Sequence, residues 1–233
     1  MTDHSQPRRA AEAPVRRLLI VNPNGNPAVN TLLGTVAGRV LPARMQAQVI
    51  NPGESPVSIH TPEDRAEAEP LALDLLARNP GYDAYVMACF DDIALVAGRQ
   101  MLRAPVIGAV EASVAFARLQ ADRFAVVTTV EQAVPGIFRV LSGLGAVPQC
   151  AVRAAGIGVA TAAGGGEAAD ACLDAAIIAA RDQDGARAII LGSAGLAGRA
   201  AALEGRHGLP VIDAMEAAIR LAAASASMAT PRV

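Results

Sequence analysis

Apolar positions along this chain fall into short unbroken runs separated by longer stretches of helical spacing. The runs Leu18–Val21, Ala84–Met87, Phe124–Thr128 and Ala188–Leu191 are continuous rather than alternating, the pattern of strands buried on both faces. Each gives way to small or polar residues and then to an Ala- and Leu-rich segment. That order of elements predicts an α/β fold built on mainly parallel sheet.

The pattern is written twice. Ala104–Ala117 (APVIGAVEASVAFA) and Leu209–Ala222 (LPVIDAMEAAIRLA) are identical at seven of fourteen positions, at an offset of 105 residues. Upstream of them, Cys89 and Ser193 each follow a strand and lie 104 residues apart. The polar turns at Asn22 and Thr128, which end the first strand of each half, are 106 apart. A long period that occurs only twice is not a solenoid. It predicts two pseudo-twofold-related lobes, each a mainly parallel sheet flanked by helices. Ligands of open parallel sheets bind at the carboxyl ends of the strands, which places an active site in the cleft between the lobes. The expected boundaries are a flexible tail over 1–16, lobes over 17–118 and 119–222, and a second tail over 223–233.

Composition narrows the chemistry. The net charge is −2, and two Tyr, four Phe and no Trp offer no stacking platform, so a nucleic-acid partner is not expected. All 20 basic residues are Arg, which excludes a lysine Schiff base and the usual pyridoxal phosphate chemistry. No apolar run reaches the roughly 18 residues of a membrane helix. The Arg- and Pro-containing start lacks the apolar stretch of a signal peptide. Three cysteines form no disulfide framework, so a reducing cytoplasm is the expected location.

Two turns carry the candidate chemistry. In Met87–Asp92 the thiol of Cys89 is expected at the first turn of a helix, where N–H groups and the dipole would lower its pKa towards neutrality. A thiol near the working pH can remove and return a proton on carbon. In Leu191–Leu196, Ser193 resembles a hydrolase nucleophile only superficially, because Leu191 stands where that turn needs glycine. Cys150 and Cys172 fall outside the repeat and read as packing residues. His4, His60 and His207 are scattered, without metal-ligand spacing. Gly164–Gly166 reads as a flexible connection, and Asp91 with Asp92 as the acidic first turn of a helix.

These residues resemble the hydantoin racemase branch of the aspartate/glutamate/hydantoin racemase superfamily. The resemblance rests on Val21–Asn24, Ala88–Asp92 (ACFDD), Val127–Thr129, Leu191–Gly195 and the two Pro-Val-Ile segments, and runs from about Arg17 to Leu221. It implies two pseudo-symmetric lobes and a reaction without cofactor or metal, in which one cysteine on each lobe works on opposite faces of a small substrate. It implies Cys89 as one acid/base group, with Asn22, Asn24, Thr128 and Thr129 as substrate contacts and Phe90 against the substrate ring. Backbone groups at Asp91, Gly192, Ala194 and Gly195 would hold an enolate oxygen. It also implies a homo-oligomer. Ser193 departs from the pattern, which has cysteine there. Three explanations fit: a deliberate Cys-to-Ser variant, a natural one-base decarboxylase or isomerase of a small carboxylic acid, or a binder without catalysis.

Overall fold

In the computed structural model, which describes residues 15–228, the chain forms two four-stranded sheets whose pairings are all parallel. The first holds β1 (Arg16–Val21), β2 (Met45–Ile50), β3 (Ala84–Met87) and β4 (Val106–Gly108) in the order β2-β1-β3-β4. The second holds β5 (Phe124–Thr128), β6 (Cys150–Ala154), β7 (Ile189–Leu191) and β8 (Val211–Asp213) in the order β6-β5-β7-β8. The strand order is the same in both, as the repeat predicts.

Local sequence explains where the helices begin. In α1 (Pro27–Val40), Asn26 accepts the Ala28 N–H and Pro27 supplies a pre-set first residue. In α2 (Pro62–Arg78), Thr61 and Asp64 form a reciprocal capping box. The short α3 (Leu95–Met101) precedes β4, and α4 (Ala109–Gln120) follows it. The second half repeats the series with α5 (Val134–Gly143), α6 (Val159–Gly164) and α7 (Glu167–Gln183), then α8 (Ala200–His207) and α9 (Ala214–Met228). Gly165 and Gly166 join α6 to α7 at φ of 73° and 116°, angles that glycine adopts freely.

One apolar core joins the halves. Leu18, Ile20 and Val86 of the first sheet and Phe124, Val126 and Ile190 of the second belong to the same cluster, closed by α4 and α9. Helix α9 packs on β3 and β4 of the first sheet as well as on β8, and α4 packs on β7 and β8. Each fully buried side chain of this kind contributes about 1.5–3 kcal/mol. The lobes are therefore stitched together by their last helices. Ala223 and Ala226 of α9 are buried, so the expected tail over 223–233 begins too early; residues 229–233, like 1–14, lie outside the described residues. Among the described residues no helix is long and apolar enough to cross a membrane.

Candidate active site

The strands β1, β3, β5 and β7 all end at one small cleft, with a cavity volume of about 60 Å³, open to solvent. Cys89 and Ser193 both line it, one from each lobe, and so do Asn24, Phe90, Asp91, Thr128, Thr129, Gly192 and Ala194. The turns separated by 104 residues in sequence are thus neighbours in space.

The setting of Cys89 differs from the expected one. No helix starts there: α3 begins at Leu95, and between them Asp92 and Ala94 take left-handed angles of 45° and 60° that turn the chain away. Burial pushes the thiol well above its usual range, and the carboxylates of Asp91 and Asp92 push it further. Arg65 and the Asp91 backbone N–H pull the other way and do not prevail. Magnitudes explain the outcome. A helix terminus offers about 0.3–1 kcal/mol to an anion, whereas desolvation can move a buried group by up to 3–5 pH units.

Asp91 ties the cleft's two sides together. Its carboxylate receives Arg65 Nη1 of α2 at 2.6 Å and Arg139 Nη2 of α5 at 2.8 Å, so one acidic side chain bridges both lobes. Arg65 Nη1 also donates to the Asp91 carbonyl at 3.0 Å. Next to it, the Phe90 ring crosses to Gly192. A Cβ on Gly192 would clash with Val126 and stand about 3.1 Å from the ring, so only glycine allows this approach. Thr128 Oγ1 donates to the Gly192 carbonyl at 2.9 Å, pinning the end of β5 to the turn that carries Ser193. That turn is neutral and mostly buried. Ser193 Oγ accepts the Gly195 N–H at 3.3 Å, and Gly195 itself does not line the cleft.

The two asparagines have different places. Asn22 is fully buried, its amide nitrogen donating to Asn24 Oδ1 at 2.9 Å and Asn30 Oδ1 at 3.0 Å. It supports Asn24, which reaches the cleft, rather than lining it. Asn24 Oδ1 also accepts the Asn26 N–H, which leaves its amide nitrogen available to a ligand. The loop is held against the segment after β2 by Ser55 Oγ, which donates to the Pro23 carbonyl at 2.6 Å. From that same segment comes a lining residue that sequence reasoning set aside, His60. Its signal was positional: it stands just before the Thr61–Asp64 capping box, at the carboxyl edge of the first sheet. Burial lowers its pKa, opposed by the negative charge of Asp64.

Behind each turn lies a carboxylate that caps the lobe's last helix. Asp92 accepts the N–H groups of Val110 at 2.8 Å and Glu111 at 3.0 Å; Asp213 accepts those of Met215 at 3.0 Å and Glu216 at 3.1 Å. The acceptor sits in the loop in the first lobe and on the strand end in the second. Gly108, the counterpart of Asp213, makes room for it: a Cβ there would lie 2.5 Å from the Asp92 carboxylate. Burial raises Asp92 to about 7 and raises Asp213 as well, against the pull of the backbone N–H groups. Among the described residues no three His, Cys, Asp or Glu side chains are grouped to hold a metal ion.

With this geometry in hand, similarity to known proteins is informative. Residues 18–222 match the family model described as Asp/Glu/Hydantoin racemase. The chain is 36% identical over 219 residues to a hydantoin racemase of Rhizobium meliloti, covering 92% of this chain and 91% of that one. It is 32% identical over 211 residues to a hydantoin racemase of Paenarthrobacter aurescens, covering 88% and 89%. Among solved structures, an allantoin racemase from Klebsiella pneumoniae superposes with a TM-score of 0.87 at 30% identity, covering 91% of this chain and 88% of that one.

Proposed function

The chain belongs to the Asp/Glu/hydantoin racemase family, and from that premise we propose that it removes and returns the ring C–H proton of a 5-substituted hydantoin or an allantoin-like cyclic ureide, with Cys89 as its acid/base group. The observation that carries the reading is the meeting of Cys89 and Ser193 in one cleft, at the ends of corresponding strands.

In the reaction, the Cys89 thiolate takes the proton from C5 and an S–H bond forms. The electron pair of the broken C–H bond moves into the adjacent carbonyl, giving an enolate. Donors aimed at that oxygen lower the barrier, and the Asn24 amide, which lines the cleft, takes that role in this reading. Return of the proton from the same thiol restores the starting configuration. Inversion needs a donor on the other face, and Ser193, a hydroxyl with no base bonded to it, is a poor one. Desolvation and the neighbouring carboxylates favour the thiol over the thiolate, so exchange is expected to rise with pH. A homo-oligomeric assembly belongs to the same reading and is checked by sedimentation.

The test is loss of the C5 proton signal of a racemic 5-substituted hydantoin in heavy water, measured for the protein, its Cys89→Ala variant and a protein-free control. Exchange well above control in the parent and at control in the variant is expected. Equal rates in all three would overturn the reading. Carbon dioxide release from an arylmalonate instead would assign the cleft to one-base decarboxylation.

A further inference from the structure

Among the described residues, one buried side-chain nitrogen or oxygen atom lacks a hydrogen-bond partner: Nε2 of His60. Leaving such an atom dry costs folding free energy, and proteins keep that cost where a ligand later satisfies it. His60 lines the cleft alongside Cys89 and Ser193, so the unsatisfied nitrogen belongs to the wall of the site rather than to the core. Its position is fixed from behind. The His60 backbone N–H donates to Asp64 Oδ2 at 2.9 Å, and the same carboxylate holds the Thr61 N–H in the capping box that starts α2. These bonds fix the backbone that carries the ring.

We propose that His60 is a substrate-contacting residue whose Nε2 makes one hydrogen bond to the N–H and C=O edge of a cyclic ureide, accepting from the N–H in one tautomer or donating to the C=O in the other. The proposal rests on the reading of the cleft as a cyclic ureide site and assigns it a specificity element. The chemistry of the wall favours an uncharged ligand edge. Nε2 of a neutral imidazole is a donor in one tautomer and an acceptor in the other, and an imide edge presents the complement of each. The carboxylate of Asp91 in the same wall is paired with Arg65 and Arg139, so its charge is taken up within the protein. A ring-opened carbamoyl amino acid has the same ureide edge but is flexible and adds a charge that must be desolvated, so it should bind more weakly.

The experiment uses the full chain with ¹⁵N-labelled histidine, which carries three such residues. Unsubstituted hydantoin is titrated in, with N-carbamoylglycine as the ring-opened arm, and the ring nitrogens of His60 are assigned by their loss in His60→Gln. Hydantoin should shift the His60 Nε2 signal saturably and leave His207, already bonded to Asp174, unmoved. His60→Phe, which fills the space without a polar atom, should weaken hydantoin binding by about tenfold, the scale of one neutral hydrogen bond in a dry site. His60→Gln should recover part of that loss. Removing the orphan atom should also leave the Phe variant's melting temperature equal to or above the parent's, a result that a structural histidine would not give. An unmoved Nε2 signal at high hydantoin, or parental affinity in the Phe variant, overturns the proposal. A shift of Nε2 without C5–H exchange would uphold the contact and remove the racemase reading; exchange without a shift would do the reverse.

Discussion

The two lobes share a strand order and a helix order, yet their working turns are electrostatic opposites. In the first, Cys89 is followed by Phe90, Asp91 and Asp92, and the thiol lies among two carboxylates and Arg65. In the second, Ser193 is followed by Ala194, Gly195 and Leu196, and its hydroxyl bonds its own turn. One backbone plan therefore presents a titratable group from one side and a neutral hydrogen-bonding group from the other. The helix caps differ in the same spirit. Asp213 projects from β8 itself, while in the first lobe Asp92 reaches in from the loop and Gly108 vacates the strand end. Moving the cap into the loop brings a second carboxylate near Cys89. The second lobe keeps its capping carboxylate on the strand instead.

The largest expected effect comes from making the turns alike. Ser193→Cys gives the second lobe an acid/base group, and racemisation followed by optical rotation should rise about a hundredfold, within the range of a positioned proton donor. If that variant still fails to racemise hydantoins, the correspondence of the two turns is wrong. Next comes the swapped cap. Gly108→Ala drives a methyl group into the Asp92 carboxylate and should cost about 1–3 kcal/mol in denaturant unfolding, the usual penalty of overpacking. A neutral result would mean that the cap in the first lobe is loose.

Smaller effects probe the charges around the thiol. Asp91→Asn should speed alkylation of Cys89 at pH 8, and Arg65→Gln should slow it, as read from peptide masses that separate it from Cys150 and Cys172. Like changes in both variants would show that access rather than charge governs the thiol. The smallest effect is on stability against pH. The folded pKa of Asp92, about 7, lies above its usual value of 3.8, so the fold holds the proton more tightly than the unfolded chain. Its stabilising contribution is present below about 4 and is lost as pH rises through 7. Asp92→Asn should flatten that decline in melting temperature without abolishing it, because Asp213 is raised too and remains.

Much of the architecture was legible because the central strands are apolar throughout. The runs at Ala84–Met87 and Phe124–Thr128 coincide with β3 and β5. The edge strands β2 and β6 escape that pattern, since exposed Gln46 and Gln48 and half-buried Arg153 break the apolar run. The repeat was legible down to the capped N–H groups, with Val110 and Glu111 in the places of Met215 and Glu216, but not to the caps themselves, because Asp92 lies outside the repeated segment. What the sequence concealed was local. The left-handed angles at Asp92 and Ala94 decide that Cys89 meets carboxylates instead of a helix end, and nothing in the order of residues announces them. His60 was passed over because it was weighed as a metal ligand, whereas its importance lies in one atom left without a partner.

The most direct test of the asymmetry between the lobes uses the separate D and L forms of one 5-substituted hydantoin in heavy water. The C5 proton signal of each is followed with the protein and with a protein-free control. Exchange that is fast for one enantiomer and near the control for the other is the predicted result, because a single thiol reaches a single face. Comparable exchange from both would contradict it and show that the Ser193 side carries a working base of its own.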